Sequence, residues 1–469
     1  MVFSSLLFLT IFLPVTIILY YLIPKKYDKA KNILLLVVSF IFYGWGEPVH
    51  IILMIITTLY IWLLTRLMEK RKAEGKNGEA KLLLVLCLVF SLGLLAYFKY
   101  FGFIVENVSF LQGMNLPKPL LPIGISFYTF QALSYVIDVY RGNVKAQKSW
   151  INFAMYISLF PQLIAGPIVR YADIETQLEH REYSADKMFE GVTRFIIGLG
   201  KKVLLANQIG MIWDEISSLS TLTTLSAWTG AIAFALQIYF DFSAYSDMAI
   251  GLGKMFGFQF VENFNYPYKA QSITDFWRRW HMTLGTWFRE YVYIPLGGNR
   301  VSKPRHIFNL FVVWALTGLW HGAAWQFVLW GLYYFLFLVI EKYGLLKFME
   351  KWPAFLRHAY SLIVVLLGWV MFACDDLSMA GSFYKAMFGI GVQFADSTAI
   401  FYLLSNILTF IVLIVGATDI PKRFVMLLKR KFTAIQFERL SYVGLVLILC
   451  VSFAFLVADS YNPFLYFRF

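Results

Sequence analysis

Two histidines, His281 and His321, stand in apolar and aromatic surroundings forty residues apart. Histidine is the side chain whose charge changes near neutral pH, and a desolvated setting disfavours its charged form. The neutral imidazole that remains can accept a proton from a reacting group, so general-base chemistry is the first function to consider. The alternative for each residue is a structural histidine whose ring nitrogens are satisfied by buried hydrogen bonds.

His321 lies inside a run of 34 residues, from Ile307 to Ile340, that contains no Asp, Glu, Lys or Arg. One straight helix of that length would reach about 51 Å, whereas the hydrocarbon core of a bilayer is about 30 Å thick. The run must therefore bend or divide. The segment Thr317-Gly-Leu-Trp-His-Gly322 is where we expect the break.

The segment before His281 carries a signal for the start of a helix. Ser272 and Asp275 have the spacing of a capping box, which predicts that a helix begins there. Wound at about 100° per residue, this helix would be amphipathic and interfacial, with His281 at the edge of its aromatic face. The residues predicted on that face are Trp277, Trp280, Leu284, Trp287, Phe288 and Tyr291. Those predicted on the opposite face are Arg278, Arg279, Arg289 and Glu290.

A third polar group interrupts an apolar run between Gln237 and Asp247. It contains two carboxylates, those of Asp241 and Asp247, together with hydroxyl groups that include that of Tyr245. A charged group in the bilayer core costs about 2.5–3.5 kcal/mol on insertion scales, so such residues have a structural or functional reason to be there. Two interpretations stay open: a buried hydrogen-bond network that joins helices, and direct contact with a substrate.

The composition determines the class of protein that must position these residues. Of the 469 residues, 59% are apolar, 19% aromatic and only 15% charged, which is typical of an integral membrane protein and excludes a soluble one. Cys87, Cys374 and Cys450 are isolated, so a disulfide framework is excluded, and no zinc-ligand motif occurs, so no metal site is expected. The net charge of +13 sits in short loops between apolar runs, which indicates a membrane surface rather than nucleic acid.

The apolar runs predict about eleven transmembrane helices, with further re-entrant or interfacial segments that do not cross. We interpret residues 1–469 as one polytopic domain, with peripheral spans in 1–101, a catalytic core in 120–340 and C-terminal spans in 360–469. Basic clusters after the first and third runs indicate cytoplasmic loops and an extracytoplasmic N-terminus. Prolines inside several runs predict broken helices around an internal polar cavity.

The same segments carry a set of ordered motifs that covers most of the chain. They are Leu121–Gln131, Phe160–Arg170, Tyr239–Gly251, Glu262–Pro267, Phe276–His281, Tyr293–Arg300 and Thr317–Gly322. In these motifs the sequence resembles the membrane-bound O-acyltransferase family, and most closely its bacterial branch that serves alginate O-acetylation.

The resemblance implies an all-α integral membrane fold whose helices surround a central funnel and tunnel. The family's buried histidine corresponds to His321, and its second signature polar position corresponds to His281. His321 is then expected to act as a general base or a transient acyl carrier, and His281 to orient the reacting groups or stabilise developing charge. The residues expected to line the substrate tunnel are Trp320, Trp277, Trp280, Tyr245, Asp241 and Asn263.

The activity implied by the resemblance is an acetyl transfer. Acetyl would be taken from cytoplasmic acetyl-CoA and passed across the bacterial inner membrane for O-acetylation of an exported cell-surface polysaccharide. Relatives work with a separate extracytoplasmic acetyltransferase of the serine-hydrolase type, so a partner of that kind is expected. Acetyl-CoA would be a substrate, and no permanently bound cofactor is expected.

The phosphates of CoA would be held by a basic stretch if its loop faces the cytoplasm, and the alternative is ordinary positive-inside charge. The candidates are Arg278, Arg279, Arg289 and Arg300, with Lys303 and Arg305 close by. Two other functions stay open: D-alanyl transfer from a carrier protein to teichoic acid, and a non-enzymatic role as a transporter or secretion subunit. The identity of the acetylated polymer does not follow from the sequence.

Overall fold

The computed structural model describes residues 1–112, 114, 116–164, 166–458 and 461–465, and these form helices and connecting turns without a β-strand. The predicted all-α fold is therefore confirmed for the described residues. Residue 165, inside the Phe160–Arg170 motif, and residues 459, 460 and 466–469 of the predicted C-terminal spans lie outside this description.

The first ten helices lead up to the connection before Ala185. They are α1 (Leu13–Leu22), α2 (Asp28–Gly46), α3 (His50–Ala73), α4 (Asn77–Leu95), α5 (Phe101–Asn107), α6 (Ser109–Gln112), α7 (Ile125–Arg141), α8 (Trp150–Ser158), α9 (Phe160–Leu163) and α10 (Tyr171–Glu179). The predicted breaks near the prolines are confirmed, because α8 ends at Ser158 and a separate short helix carries Pro161.

The remaining helices include those that carry the two histidines. They are α11 (Ala185–Gly200), α12 (Asn207–Ser217), α13 (Thr224–Met255), α14 (Ile273–Trp277), α15 (Met282–Phe288), α16 (Lys303–His321), α17 (Trp325–Ile340), α18 (Leu346–Met349), α19 (Ala354–Ala373), α20 (Leu377–Met387), α21 (Ser397–Ser405), α22 (Ile407–Gly416), α23 (Ile420–Lys431) and α24 (Ala434–Ala458). Single π-helical turns occur at Phe8–Phe12, Ala96–Tyr100, Lys201–Ala206, Arg289–Tyr293 and Glu341–Leu345, and a 3₁₀ turn at Pro267–Lys269.

Six helical stretches in the described part of the chain are long and apolar enough to cross a membrane. They are His50–Ala73, Asn77–Asn107, Ala185–Ser217, Trp325–Met349, Ala354–Ala373 and Ala434–Ala458. A seventh span results if α21 and α22, which are bent by 52° at their junction, are counted as one. The chain is thus a multi-pass membrane protein, whereas the number of about eleven spans and the orientation of the N-terminus stay predictions.

The fold groups into two compact units. The first contains Met1–Phe195 and Ser246–Glu262, and the second contains Ile196–Tyr245 and Asn263–Phe469. The interpretation as a single polytopic domain stays a prediction. Both histidines and every residue predicted for the tunnel and the basic stretch belong to the second unit, so the site is described within that unit alone.

The long uncharged run is divided where its length required a break. Helix α16 ends at His321, and α17 begins at Trp325 after a short extended connection. The two helices then pack closely, because a Cβ atom at Gly318 would collide with the main-chain oxygen of Phe327, and one at Gly331 with that of Trp314. Close contact between two helix backbones requires glycine at these positions. His321 is thereby held at the end of a rigid helical hairpin.

The helix that begins after Ser272 is much shorter than predicted. The predicted helix start is confirmed, since Ser272 is the N-cap and its Oγ accepts from the Asp275 N–H at 3.0 Å, but α14 ends at Trp277. His281 has the left-handed backbone conformation, with φ at 45°, and α15 begins after it. The single continuous helix through Tyr291 was therefore a wrong prediction, although the aromatic residues of its predicted face are mostly buried. The break occurs because Asn263 accepts hydrogen bonds from the main chain that a continuous helix would have used internally.

Candidate active site

His321 occupies the last position of α16, among aromatic rings. Its imidazole packs edge-to-face against Trp330 and Phe372, with ring centroids 5.1 and 5.2 Å apart, and lies 5.0 Å from the ring of Trp320. The residue is half-buried.

His281 lies between α14 and α15, outside the spanning helices, and is 2% exposed. Its Nδ1 is 3.0 Å from Oδ1 of Asn263, and the ring of Phe242 packs against it at 4.8 Å. Among the described residues, Nε2 has no hydrogen-bond partner. Burial lowers the pKa of His281 well below its ordinary value, because the imidazolium would be desolvated. The His281 ring lies 5.9 Å from that of Trp320, but the helix face on which the sequence analysis placed it does not form, because the helix is interrupted.

A cavity that we call the inner chamber contains both histidines in its wall and has a volume of about 40 Å³. Apart from the Asp241 carboxylate and the imidazoles, its lining is mainly apolar and aromatic. The other lining residues are Ile238, Phe242, Trp280, Trp320, Trp330, Trp369, Phe372, Phe464 and Leu465. A chamber of this size and polarity has room for a small acyl group and little water.

A second cavity, the aromatic tunnel, has a volume of about 260 Å³ and reaches the same two histidines. Its walls combine rings and aliphatic side chains from α14, α15 and α16. The remaining lining residues are Trp277, Trp280, Leu284, Gly285, Phe288, Arg289, Tyr293, Leu310, Val313, Trp314 and Thr317. The tunnel and the inner chamber share Trp280, His281 and His321, so the imidazoles stand at their common wall.

A third cavity, the basic vestibule, has a volume of about 800 Å³ and shares Arg289, Tyr293 and Leu310 with the aromatic tunnel. Its charged lining residues are all cationic, and its described lining includes no carboxylate. These cations are Arg278, Arg289, Arg300 and Lys342. A partly open cavity with four cations in its wall suits a polyanionic ligand.

Three of the four predicted phosphate-binding arginines line this vestibule. The exception is Arg279, which donates to Asp275 at 2.8 Å and to the main-chain oxygen of Asn265 instead. Lys342, which also lines the vestibule, was not among the predicted residues. His306, also in the wall, bonds Tyr293 at 2.8 Å and Tyr343 at 2.6 Å.

The predicted tunnel residues separate into two groups. Trp277 and Trp280 line the aromatic tunnel, and Trp320 and Asp241 line the inner chamber. Neither Tyr245 nor Asn263 is among the lining residues described for the three cavities. Tyr245 stacks on Phe464 with ring centroids 4.7 Å apart, and the Asn263 side chain contacts His281 and Thr283.

The Asp241 carboxylate belongs to a buried ion pair that the sequence did not reveal. Lys202 Nζ lies 2.6 Å from Oδ1 of Asp241, and the Leu465 N–H donates to Oδ2 at 2.9 Å. Lys202 also donates to the main-chain oxygen of Pro463. The interpretation as a buried network is therefore confirmed, and the network brings Phe464 and Leu465 into the wall of the inner chamber, whereas direct contact with a substrate stays a prediction.

No group of three His, Cys, Asp or Glu side chains in the described part of the chain is arranged to hold a metal ion. The ionisable groups that line the inner chamber and the basic vestibule include two imidazoles, one ion-paired carboxylate and four cations. These can bind an anionic ligand and move a proton, which are the requirements of acyl transfer from an activated donor.

Comparison with known proteins identifies the family of this chain. Residues 144–384 match the model of MBOAT, the membrane-bound O-acyltransferase family. A probable alginate O-acetylase AlgI of Azotobacter vinelandii is 44% identical over 83% of this chain and 79% of its own length, and one of Pseudomonas putida is 40% identical over the whole of both chains. A peptidoglycan O-acetyltransferase of Helicobacter pylori is 30% identical over 100% of this chain and 98% of its own.

The chain belongs to the membrane-bound O-acyltransferase family, and it is an acyltransferase. The residues matched to the family contain both histidines and the whole described lining of the basic vestibule and the aromatic tunnel. Phe464 and Leu465 lie outside the matched residues, so that part of the inner chamber rests on the structure alone.

Proposed function

We propose that this acyltransferase takes acetyl from acetyl-CoA and passes it across the membrane for O-acetylation of an exported cell-surface polysaccharide. The observation that carries the proposal is the series of three cavities with shared walls, which leads from four cations to two imidazoles. Such a series suits a donor with a polyanionic end and a reactive thioester at the other end of a long arm.

The basic vestibule would hold the nucleotide end of the donor. CoA carries several phosphate charges, and arginine binds phosphate through two parallel charge-assisted hydrogen bonds. The volume of about 800 Å³ lies in the range typical of cavities that bind small-molecule ligands. Arg278, Arg289, Arg300 and Lys342 are the residues that we propose for this role.

The aromatic tunnel would hold the arm that carries the thioester. Its walls exclude water, which protects an activated acyl group from hydrolysis and strengthens electrostatic interactions inside the tunnel. Trp277 and Trp280 provide part of this wall. The acetyl group would then lie beside His281 and His321, where the tunnel meets the inner chamber.

The reaction proposed at the two imidazoles is the transfer of an acetyl group from a thioester to a hydroxyl. The oxygen of an acceptor hydroxyl attacks the thioester carbonyl carbon, the C–O bond forms and the C–S bond breaks. The hydroxyl proton passes to an imidazole and from there to the departing thiolate, which leaves as free CoA thiol. Holding donor and acceptor in one chamber supplies much of the rate enhancement, because the encounter no longer costs translational entropy.

The acetyl acceptor in this proposal is a polymer, reached directly or through a partner. Relatives are named for the O-acetylation of alginate and of peptidoglycan, which supports a polymeric end product. We further propose an extracytoplasmic acetyltransferase of the serine-hydrolase type as the partner that completes the transfer.

The test is an assay in proteoliposomes loaded with the purified protein and supplied with acetyl-CoA labelled in the acetyl group. We expect release of free CoA together with label on the acceptor side, and loss of both in His321→Ala and His281→Ala. The matched control is His180→Ala, since this histidine is exposed and belongs to the first unit. Full transfer by stably inserted His321→Ala would contradict the proposal.

Two further outcomes of the same assay decide between donors and classes. Transfer from D-alanyl carrier protein, without turnover of acetyl-CoA, would favour the teichoic-acid activity. Passage of a solute with acetyl-CoA left intact would favour a transporter. Either result would overturn the assignment of acetyl-CoA as donor.

A further inference from the structure

Four hydrogen bonds tie Asn263 to the three residues around the break between α14 and α15. Its side-chain oxygen accepts from the Thr283 N–H at 3.3 Å and the Thr283 hydroxyl at 2.9 Å, and lies 3.0 Å from Nδ1 of His281. Its main-chain oxygen accepts the Met282 N–H at 3.0 Å. One asparagine therefore organises both the backbone and the imidazole of His281.

The orientation of the Asn263 amide follows from its main-chain partner. A backbone N–H can only donate, so the side-chain atom that faces the Thr283 N–H must be the oxygen and not the NH₂ group. The same oxygen faces Nδ1 of His281. An oxygen without a hydrogen can only accept, so Nδ1 of His281 must carry the hydrogen.

The other ring nitrogen of His281, Nε2, then carries no hydrogen and has a lone pair that can accept one. In a neutral imidazole, a hydrogen on Nδ1 leaves Nε2 as a hydrogen-bond acceptor. This Nε2 is buried and has no partner among the residues that the structure describes, while the His281 ring lines both the inner chamber and the aromatic tunnel. Buried acceptors are normally satisfied, so an orphaned one in a cavity wall indicates a ligand with a hydrogen to donate.

The backbone of His281 points to the same conclusion. Its φ of 45° is rare for a residue with a bulky side chain, and such strain persists only where surrounding contacts hold it. Here the hydrogen bonds that the Met282 and Thr283 N–H groups donate to Asn263 provide those contacts. The ring held by this turn lines both the inner chamber and the aromatic tunnel.

We propose that Asn263 is a positioning residue that holds His281 as the Nδ1–H tautomer, so that Nε2 of His281 takes the proton of the acetyl acceptor. This inference rests on the proposed function. The acceptor hydroxyl donates to Nε2, its oxygen attacks the thioester carbonyl carbon, and the proton moves to Nε2 as the C–O bond forms. The imidazolium then returns that proton to the CoA thiolate as the C–S bond breaks, which leaves His321 to contact the thioester.

The decisive experiment measures kcat, the KM for acetyl-CoA and the pH profile of the full-length protein in proteoliposomes. Asn263→Ala frees the imidazole to adopt either tautomer, so we expect kcat to fall by about 100-fold. The KM for acetyl-CoA should stay within about threefold, because Asn263 does not line the basic vestibule.

Asn263→Asp is the second variant, and it tests in which direction the pH profile of kcat moves. A carboxylate still accepts the Nδ1 hydrogen, but its charge favours the imidazolium and raises the pKa of His281. A base must be neutral to work, so the acidic limb of the kcat profile should move to higher pH by about one to three units. Activity above that limb should be largely rescued relative to Asn263→Ala.

The matched control is Asn32→Ala. Asn32 is 1% exposed, and its amide donates to Asn152 at 2.9 Å and to the main chain of Leu178 at 2.8 Å. It belongs to the first unit and is not among the lining residues described for the three cavities. Loss of a buried asparagine there should lower the amount of folded protein without moving the pH profile.

An unchanged kcat in Asn263→Ala, or an unchanged acidic limb in Asn263→Asp, would overturn the inference. If the Asn263→Ala variant does not insert into the membrane, the pH profile of kcat for Asn263→Asp tests the inference by itself. A failure of the proposed function would look different. In that case the unmodified protein would release no CoA, or the His321→Ala variant would keep full activity.

Discussion

Lys202 and Asp241 form a buried ion pair 2.6 Å long, and each side chain is only 3% exposed. The same two residues bind the main chain at Pro463 and Leu465. The pair therefore neutralises two charges inside the second unit and fixes a segment near the C-terminus in the wall of the inner chamber. Sequence distance gives no hint of this contact, since Asp241 and Leu465 are more than two hundred residues apart.

Asp241→Asn should destabilise the protein strongly. Removal of one partner leaves the Lys202 ammonium buried without a counter-charge, which typically costs about 3–5 kcal/mol. The midpoint of thermal unfolding in detergent should fall, and acetyl transfer should fall with it. The exposed pair of Lys187 and Glu182 is the control, and Glu182→Gln should leave the midpoint unchanged.

The double variant Lys202→Met with Asp241→Leu separates stability from function. No charge stays buried in it, so much of the thermal midpoint should return. Transfer activity should stay low, because the Leu465 N–H has lost its carboxylate. A midpoint in Asp241→Asn equal to that of the unmodified protein would contradict this account of the pair.

Neutralisation of the vestibule should weaken donor binding without slowing the chemistry. Arg278, Arg300 and Lys342 are exposed, so each contact with a phosphate is worth about 1 kcal/mol or less. Each change to Gln should therefore raise the KM for acetyl-CoA by about threefold to fivefold at constant kcat. Steady-state kinetics at two salt concentrations measure this, and the effect should shrink at high salt.

Arg279→Gln is the matched control for the vestibule, because Arg279 neighbours Arg278 in sequence but donates to Asp275. Its KM for acetyl-CoA should stay unchanged. An equal rise of KM in Arg279→Gln would mean that the whole basic stretch, and not the vestibule, attracts the donor.

Glu341→Gln should destabilise the start of α14. The Glu341 carboxylate is fully buried and accepts from the Ile273 N–H at 2.6 Å, the Thr274 N–H at 2.8 Å and the Thr274 hydroxyl at 2.6 Å. The NH₂ group of Gln would face one of these donors and leave it unsatisfied, at a cost of about 1–3 kcal/mol. Thermal unfolding measures the loss, with exposed Glu190→Gln as the control.

Gly318→Ala should separate the helices that hold His321. A Cβ atom there meets the main-chain oxygen of Phe327, and overpacking of this kind costs about 1–3 kcal/mol. We expect a lower thermal midpoint and loss of acetyl transfer as the end of α16 moves. Gly444→Ala in α24 is the counterpart, since nothing lies within 4 Å of its Cβ and Ala favours a helix. A similar drop in both variants would contradict the close-packing explanation.

Features set by local spacing or by membrane thickness were predictable. The division of the uncharged run at His321 followed from its length, and the start of α14 followed from the Ser272–Asp275 spacing. The end of α14 was not predictable, because the groups that interrupt it come from Asn263, which lies before the helix in the chain. The aromatic periodicity continued past Trp277 and therefore predicted a helix that the backbone does not form.

The sequence alone determined that this chain is helical, membrane-embedded and equipped with two histidines in family motifs, because composition and short-range spacing carry that information. The tertiary structure decided which arginines line one cavity, which nitrogen of His281 is available, and how Lys202 and Asp241 bind the residues before the C-terminus. These outcomes depend on contacts between distant segments, whose geometry is fixed only when the helices pack.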